Sequence, residues 1–139
     1  MNNNNSEQES DYYTNAQSKG TDLISSILSG ENGSNVKALQ HPDILSGIYT
    51  IDANGNVYNA IDEKYINWNY SKYPYVNLLC KAGGLKTVYI KDLMAYNFLA
   101  NAESYLERGW KVMNIDGNIS NCNYKNIILI NPSIISKEN

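Results

Sequence analysis

The chain has 139 residues, which is enough for one domain with a modest core. Its net charge of -3 is unevenly divided, because residues 1–43 carry six acids against two lysines while residues 44–139 carry eight acids against nine basic residues. The near-neutral second part lacks the strong basic excess that is typical of nucleic-acid binders. No apolar run is long enough to span a bilayer, and Cys80 and Cys122 lack metal-type spacing, so composition predicts no membrane partner and no cofactor.

The first part of the chain is predicted to be an arm outside the domain. Residues 1–20 are polar and offer almost nothing to bury, which predicts disorder. A short helix then runs from Thr21, a candidate N-cap, to Gly30, and residues 31–43 resemble a linker. The helix either docks on its own domain or binds a partner through one apolar face. That candidate partner-binding face consists of Leu23, Ile24, Ile27 and Leu28.

Two β-hairpins are predicted next. Strands at 48–51 and 56–58 flank an Asn54-Gly55 turn, and strands at 75–80 and 87–90 flank Gly83-Gly84. The aromatic-rich run 65–75 lies between them, and it has three interpretations: packing in the hairpins, a protein contact, or stacking on nucleic-acid bases. The candidate nucleic-acid contacts are Trp68, Tyr70, Lys72 and Lys91.

The last third is predicted to hold a helix and a final pair of strands. The stretch 92–99 contains no Gly or Pro and places Leu93 and Phe98 on one helical face. Residues 110–114 alternate as a strand does and end at a turn, and residues 127–130 form a short apolar strand. The predicted order is two hairpins, a helix, a strand, a turn with a short helix, and a strand.

The run from Val112 to Ile130, VMNIDGNISNCNYKNIILI, carries a motif. It resembles the core of the HNH endonuclease family, in particular its phage and intron branch, where Asn-His and Ile-Asp-Gly-Asn precede an Asn pair and Asn-Leu. The matching positions are Asp116, Gly117, Asn121 and Asn126, and the resemblance covers roughly residues 47–131. It implies a small α+β fold with an HNH-like ββα core, preceded by β-hairpins and a flexible N-terminal arm.

The departures from the family fall on the catalytic positions. The catalytic histidine maps to Asn114, whose amide cannot act as a general base. The metal ligand before it maps to Met113, whose thioether does not suit a hard divalent cation. The sequence therefore predicts no catalytic residues and no metal. Asp116, Asn121 and Asn126 are expected to hold the turn through local side-chain bonds.

These observations predict three regions: a disordered arm over 1–20, a helix and linker over 21–43, and an HNH-like domain over 44–139. The predicted function is non-catalytic, as a virion-associated assembly protein that binds other phage proteins, located in the virion or the host cytoplasm. The alternatives are a DNA-binding regulator on the degenerate HNH scaffold and a residual nuclease.

Overall fold

The computed structural model describes residues 4–30 and 35–133, and the chain folds into an α+β arrangement of three antiparallel sheets and flanking helices. In chain order the elements are α1 Asn4–Leu28, β1 Val36–Ala38, β2 Tyr49–Asp52, β3 Val57–Asn59, β4 Lys64–Ile66, β5 Asn69–Tyr70, β6 Pro74–Leu79, β7 Leu85–Tyr89, α2 Ile90–Phe98, α3 Ala102–Glu107, β8 Lys111–Asn114, a 3-10 turn Tyr124–Asn126, and β9 Ile127–Ile130. No helix in the described ranges is both long enough and apolar enough to cross a membrane.

The first sheet has the order β1-β2-β3-β4, and its central hairpin confirms the predicted Asn-Gly turn. The Asp52 carboxylate accepts hydrogen bonds from the backbone N–H groups of Asn54 and Asn56, both at 2.9 Å. Gly55 has a φ of +89°, and a Cβ there would lie 2.7 Å from the Ile90 side chain. Only glycine therefore satisfies both the backbone angle and the close packing of this turn.

The second sheet has the order β5-β6-β7 and confirms the second predicted hairpin. Val76 and Leu78 on β6 are fully buried, whereas Asn77 between them is exposed. Buried and exposed side chains alternate in this way because successive residues of a strand point to opposite faces of the sheet. The chain reverses at Gly83 and Gly84, which both have positive φ angles.

Helix α2 connects the second sheet to the β8–β9 hairpin and confirms the predicted helix. Its buried face holds Leu93, Met94 and Ala95, which join the main core with Val112 of β8 and Ile127 of β9. Strands β8 and β9 pair in antiparallel register, with Val112 opposite Leu129 and Asn114 opposite Ile127. The hairpin that carries the family motif is therefore fixed by its inner face to α2.

The sequence patterns do not predict four of the observed elements, which are β1, β4, β5 and α3. Three of them are strands of two or three residues, too short for a period to show. Helix α3 has only six residues and starts after Asn101, whose φ of +59° is left-handed. The predicted linker over 31–43 is also wrong in part, since β1 pairs with β2 and Leu39 is buried in the core. Residues 1–3 of the predicted arm, 31–34 of the predicted linker and 134–139 of the predicted domain lie outside the described residues.

The N-terminal arm differs most from expectation, because the segment predicted to be disordered lies within α1 from Asn4 onward. Thr21, the predicted N-cap, is inside this helix, and its hydroxyl donates to the Gln17 carbonyl at 2.8 Å. The sequence signal was weak because polar residues fill the first turns. The absence of proline and of an interior breaker before Gly20 still permits a continuous helix.

Helix α1 docks on its own domain, the first of the two alternatives left open by the sequence. Gly20 is buried, and a Cβ there would lie only 1.7 Å from the Gly47 carbonyl oxygen. The Gln17 side chain donates to the Ser46 carbonyl at 3.0 Å. In the face predicted to bind a partner, Ile24 is 4% exposed and Leu23, Ile27 and Leu28 are partly buried.

Candidate nucleic-acid interface

A groove of about 900 Å³ runs between the β7–α2 junction and β8. Its charged side chains are mainly cationic, with four lysines against two acids. Aromatic rings from β7, α2 and the segments before β6 and β8 form much of the remaining wall. The lysines are Lys72, Lys86, Lys91 and Lys111, the acids are Asp43 and Asp92, and the rings are Tyr73, Tyr89, Tyr96 and Trp110.

Lys91 is held at this wall by an aromatic ring. It is the second residue of α2, and its Nζ lies 3.6 Å from the centroid of the Tyr73 ring. The Tyr73 ring is itself fixed edge-on against Tyr89, with centroids 5.7 Å apart. Lys72 approaches the same ring at 5.8 Å. A cation above a ring keeps its charge and orientation, so two lysines are presented together beside the groove.

Burial changes the pKa of two other titratable groups of the groove. Burial lowers the pKa of His41, although the nearby Asp43 carboxylate acts in the opposite direction. Burial raises the pKa of Asp92, and the charge of Lys91 offsets part of that rise. Both shifts disfavour the charged forms of His41 and Asp92, so the main cations that line the groove are its lysines.

Asn114 and Met113 lie where β8 borders the groove. Asn114 is 8% exposed, and its Nδ2 donates to the Asn121 carbonyl at 2.9 Å. Met113 is 44% exposed. Burial raises the pKa of the neighbouring Cys122 thiol, an effect partly opposed by a hydrogen bond with Asn114. This part of the groove holds no group that takes up a proton near neutral pH.

The turn after β8 is held by its own amide and carboxylate side chains. Asp116 Oδ2 accepts from Asn121 Nδ2 at 2.9 Å, and Oδ1 accepts from Asn126 Nδ2 at 2.9 Å. Oδ1 also accepts from the backbone N–H of Asn118 at 2.8 Å. Asn126 closes the network by accepting from the Asp116 backbone at 3.2 Å and donating to the Asn121 carbonyl at 2.8 Å. The hydrogen bond from Asn121 makes the largest contribution to lowering the pKa of Asp116, and the bonds from Asn118 and Asn126 lower it further.

The chain was compared with known protein families, curated proteins and solved structures. No protein-family model matches the chain, and no curated protein matches it. A solved structure described as "DNA binding and cleavage by the HNH homing endonuclease I-HmuI" matches with a TM-score of 0.61 and 25% sequence identity. The match covers 74% of this chain and 56% of the endonuclease chain. The fold is HNH-like. The chain spans only about half the length of that endonuclease.

The residues at the HNH-like site do not fit a hard divalent cation. Both carboxylate oxygens of Asp116 already accept from asparagine amides, and the adjacent thioether of Met113 is a soft ligand. Asn114 turns its amide nitrogen, a donor, toward the turn. Across residues 4–30 and 35–133, no three His, Cys, Asp or Glu side chains are grouped as metal ligands.

The structure brings together only half of the predicted nucleic-acid contacts. Lys72 and Lys91 line the groove. Trp68 instead covers the first hairpin, where its Nε1 donates to the Gly55 carbonyl at 3.0 Å and its ring borders a separate cavity of about 400 Å³. Tyr70 is 58% exposed on β5 and does not line the groove.

The sequence reasoning missed Lys86, Lys111 and Trp110 as groove residues. They come from β7, from β8 and from the segment before it, and are brought together only when α2 and α3 connect the two hairpins. No local motif marks them, since each lysine is an ordinary exposed residue in its own strand. A contact between separate elements of this kind cannot be found without the fold.

Proposed function

We propose that this chain is a DNA-binding protein that uses the basic groove of an HNH-like scaffold and does not cleave the DNA it binds. The observation that carries the proposal is the grouping of four lysines around a groove that Met113 and Asn114 also line, the positions to which the HNH resemblance maps the metal ligand and the catalytic histidine. Lysines placed together neutralise phosphates and release counterions, which is the main source of affinity for DNA.

The local charge supports DNA binding more strongly than the net charge of the chain. The groove has an excess of cations, whereas residues 44–139 as a whole are nearly neutral. Lys72 and Lys91 are oriented by Tyr73, so little ordering is required before contact. The solved endonuclease with the similar fold is described as binding and cleaving DNA, which makes DNA the first ligand to test.

The absence of cleavage is inferred from the chemistry of two side chains. Asn114 offers an amide where the HNH resemblance implies a histidine base, and Met113 offers a thioether where it implies a metal ligand. Asn114 is also engaged with the turn through its bond to the Asn121 carbonyl. Binding without cleavage therefore agrees with the lysines that line the groove and with the side chains of Met113 and Asn114.

DNA binding is preferred to the virion-associated assembly role. Part of the support for that role was an apolar helix face free to bind a partner, whereas Ile24 of this face is buried and Leu23, Ile27 and Leu28 are partly buried. A phage origin, phage-protein partners and residence in the virion or host cytoplasm stay predictions of the family resemblance.

The test is a fluorescence-anisotropy titration of a labelled duplex of about three helical turns, repeated between about 50 and 200 mM salt. We expect log K to fall with log salt with a slope of about -3, since four lysines face the groove and one of them is partly paired. A dissociation constant that does not change with salt, or no binding at the lowest salt, would contradict the proposal.

A further inference from the structure

Asp43 is fixed at the mouth of the groove by its backbone. Its N–H donates to His41 Nδ1 at 3.0 Å, and its carbonyl accepts from the Lys81 N–H at 2.8 Å. The next residue, Ile44, is 2% exposed and forms a bridge with Cys80 after β6. The loop therefore runs along the second sheet, and these contacts hold the Asp43 backbone beside it.

The carboxylate of Asp43 occupies a cationic environment. Its Oδ2 accepts from Lys86 Nζ at 2.9 Å. That hydrogen bond and the charge of Lys86 lower the pKa of Asp43, with smaller contributions from His41 and Lys81. Both side chains of the ion pair are about half exposed, at 46% for Lys86 and 53% for Asp43. An oxyanion from outside can therefore reach Lys86, and the carboxylate now holds the place such an oxyanion would take.

We propose that Asp43 is a built-in competitor for Lys86, and that a DNA phosphate displaces it when DNA enters the groove. This inference rests on the proposed DNA-binding function. In the free protein one of the four groove lysines is neutralised by Asp43, so its contribution to DNA affinity is reduced. An exposed ion pair of this kind is weak, so a DNA phosphodiester, which carries the same single negative charge, can replace the carboxylate on Lys86. The Asp43–Lys86 ion pair therefore lowers the affinity for DNA but does not prevent DNA from binding.

The test compares two substitutions that change the net charge equally. Asp43→Asn removes the competitor, whereas Asp22→Asn removes an exposed acid on α1 that does not line the groove. In duplex titrations we expect Asp43→Asn to tighten binding roughly threefold to tenfold near 0.1 M salt, with a salt slope steeper by up to about 0.9. Asp22→Asn is expected to change affinity less than about twofold, because an exposed charge away from the groove is screened.

A double-mutant cycle assigns the gain to Lys86. Lys86→Gln alone is expected to weaken binding only slightly, because Lys86 is already paired, whereas in the Asp43→Asn background it should remove the whole gain. Asp43→Ala is a second carboxylate-free variant and should reproduce the gain, and melting curves of each variant check that the fold is retained.

The outcomes separate this inference from the proposed function. An unchanged affinity for Asp43→Asn, a gain equal to that of Asp22→Asn, or a gain that survives Lys86→Gln would overturn it while leaving DNA binding intact. If no variant binds DNA at low salt, the proposed function and the inference fail together.

Discussion

The turn after β8 and the wall of the basic groove are adjacent and both polar, yet their side chains are used differently. In the turn, Asp116, Asn121 and Asn126 satisfy one another through four side-chain bonds of 2.8 to 3.2 Å. In the wall, Lys91 and Lys72 lie near the Tyr73 ring and line the cavity, and neither of these cations is paired with a carboxylate in the described residues. Polar groups paired internally contribute to stability, whereas charges left facing a cavity are available to a ligand.

This difference separates a turn that is closed by its own hydrogen bonds from a wall whose charges can reach a ligand. The polar side chains of the turn bond to one another, whereas Lys72, Lys91 and Lys111 line the groove and only Lys86 is paired there, with Asp43. Substitutions in the two regions should therefore have different effects. Those in the wall should lower DNA affinity and leave stability unchanged, whereas those in the turn should lower stability and leave DNA affinity unchanged.

The largest effect is expected from Lys91→Gln combined with Lys111→Gln. Each lysine removed should weaken duplex binding on the order of tenfold near 0.1 M salt, and the salt slope should become shallower by about 1.8. The melting temperature should change little, since a cation–π contact at an exposed site is worth only about 0.5–1 kcal/mol. The matched control is Lys19→Gln with Lys64→Gln, two exposed lysines outside the groove. Equal losses for the two pairs would mean that the groove is not the binding surface.

A smaller effect, on stability, is expected from Asn126→Ala in the turn. The substitution removes bonds to the Asp116 carboxylate, to the Asp116 N–H and to the Asn121 carbonyl, and should cost about 2 kcal/mol. Urea denaturation measures the loss, with Asn69→Ala, an exposed asparagine on β5, as the control. Duplex affinity should stay at the wild-type value, and an affinity loss without destabilisation would reassign Asn126 to the binding surface.

The turn should also give a modest dependence of stability on pH. The bonds from Asn121, Asn118 and Asn126 hold the pKa of Asp116 below its unfolded value, so this stabilisation is complete above the ordinary carboxyl range. It is lost as pH falls through the lowered pKa of the folded state. The unfolding free energies of wild type and Asp116→Asn, measured from neutral to acidic pH, should therefore converge as the pH falls. A difference that stays constant over that range would show that the charge of Asp116 is not what the turn uses.

No measurable effect on cleavage is expected from Asn114→His. A histidine would supply the base, but Met113 still provides no oxygen ligand, and Asp116 is engaged with the asparagines. Plasmid nicking is the readout, with Met113→Asp/Asn114→His for comparison. Metal-dependent nicking by Asn114→His alone would show that the metal position of the site is intact after all.

The hairpins and the last turn of the fold can be predicted from the sequence, because short turn motifs specify them. Asn54-Gly55 and Gly83-Gly84 mark the two hairpins, and the motif from Ile115 to Asn126 marks the last turn. Helix α1 was underestimated, because its docking depends on the contact of Gly20 with Gly47, two glycines that carry no periodic signal.

The candidate site was less predictable than the fold. Lys91 and Lys72 stood out near the motif and the aromatic run, but the groove also needs Lys86 and Lys111 from two different sheets. The pairing of Lys86 with Asp43 joins residues 43 positions apart. Such contacts result from tertiary packing, and a sequence pattern of short range contains no information on them.

The central claim, binding without cleavage, is tested most directly by one assay on supercoiled plasmid. The protein is incubated with the plasmid in Mg²⁺ or Mn²⁺ at a concentration that retards it in a native gel, and a duplicate sample is stripped of protein before electrophoresis. We predict a retarded band in the first gel and fully supercoiled plasmid in the second. Nicked or linear plasmid that appears only with metal, or the absence of any retardation at low salt, would contradict the account.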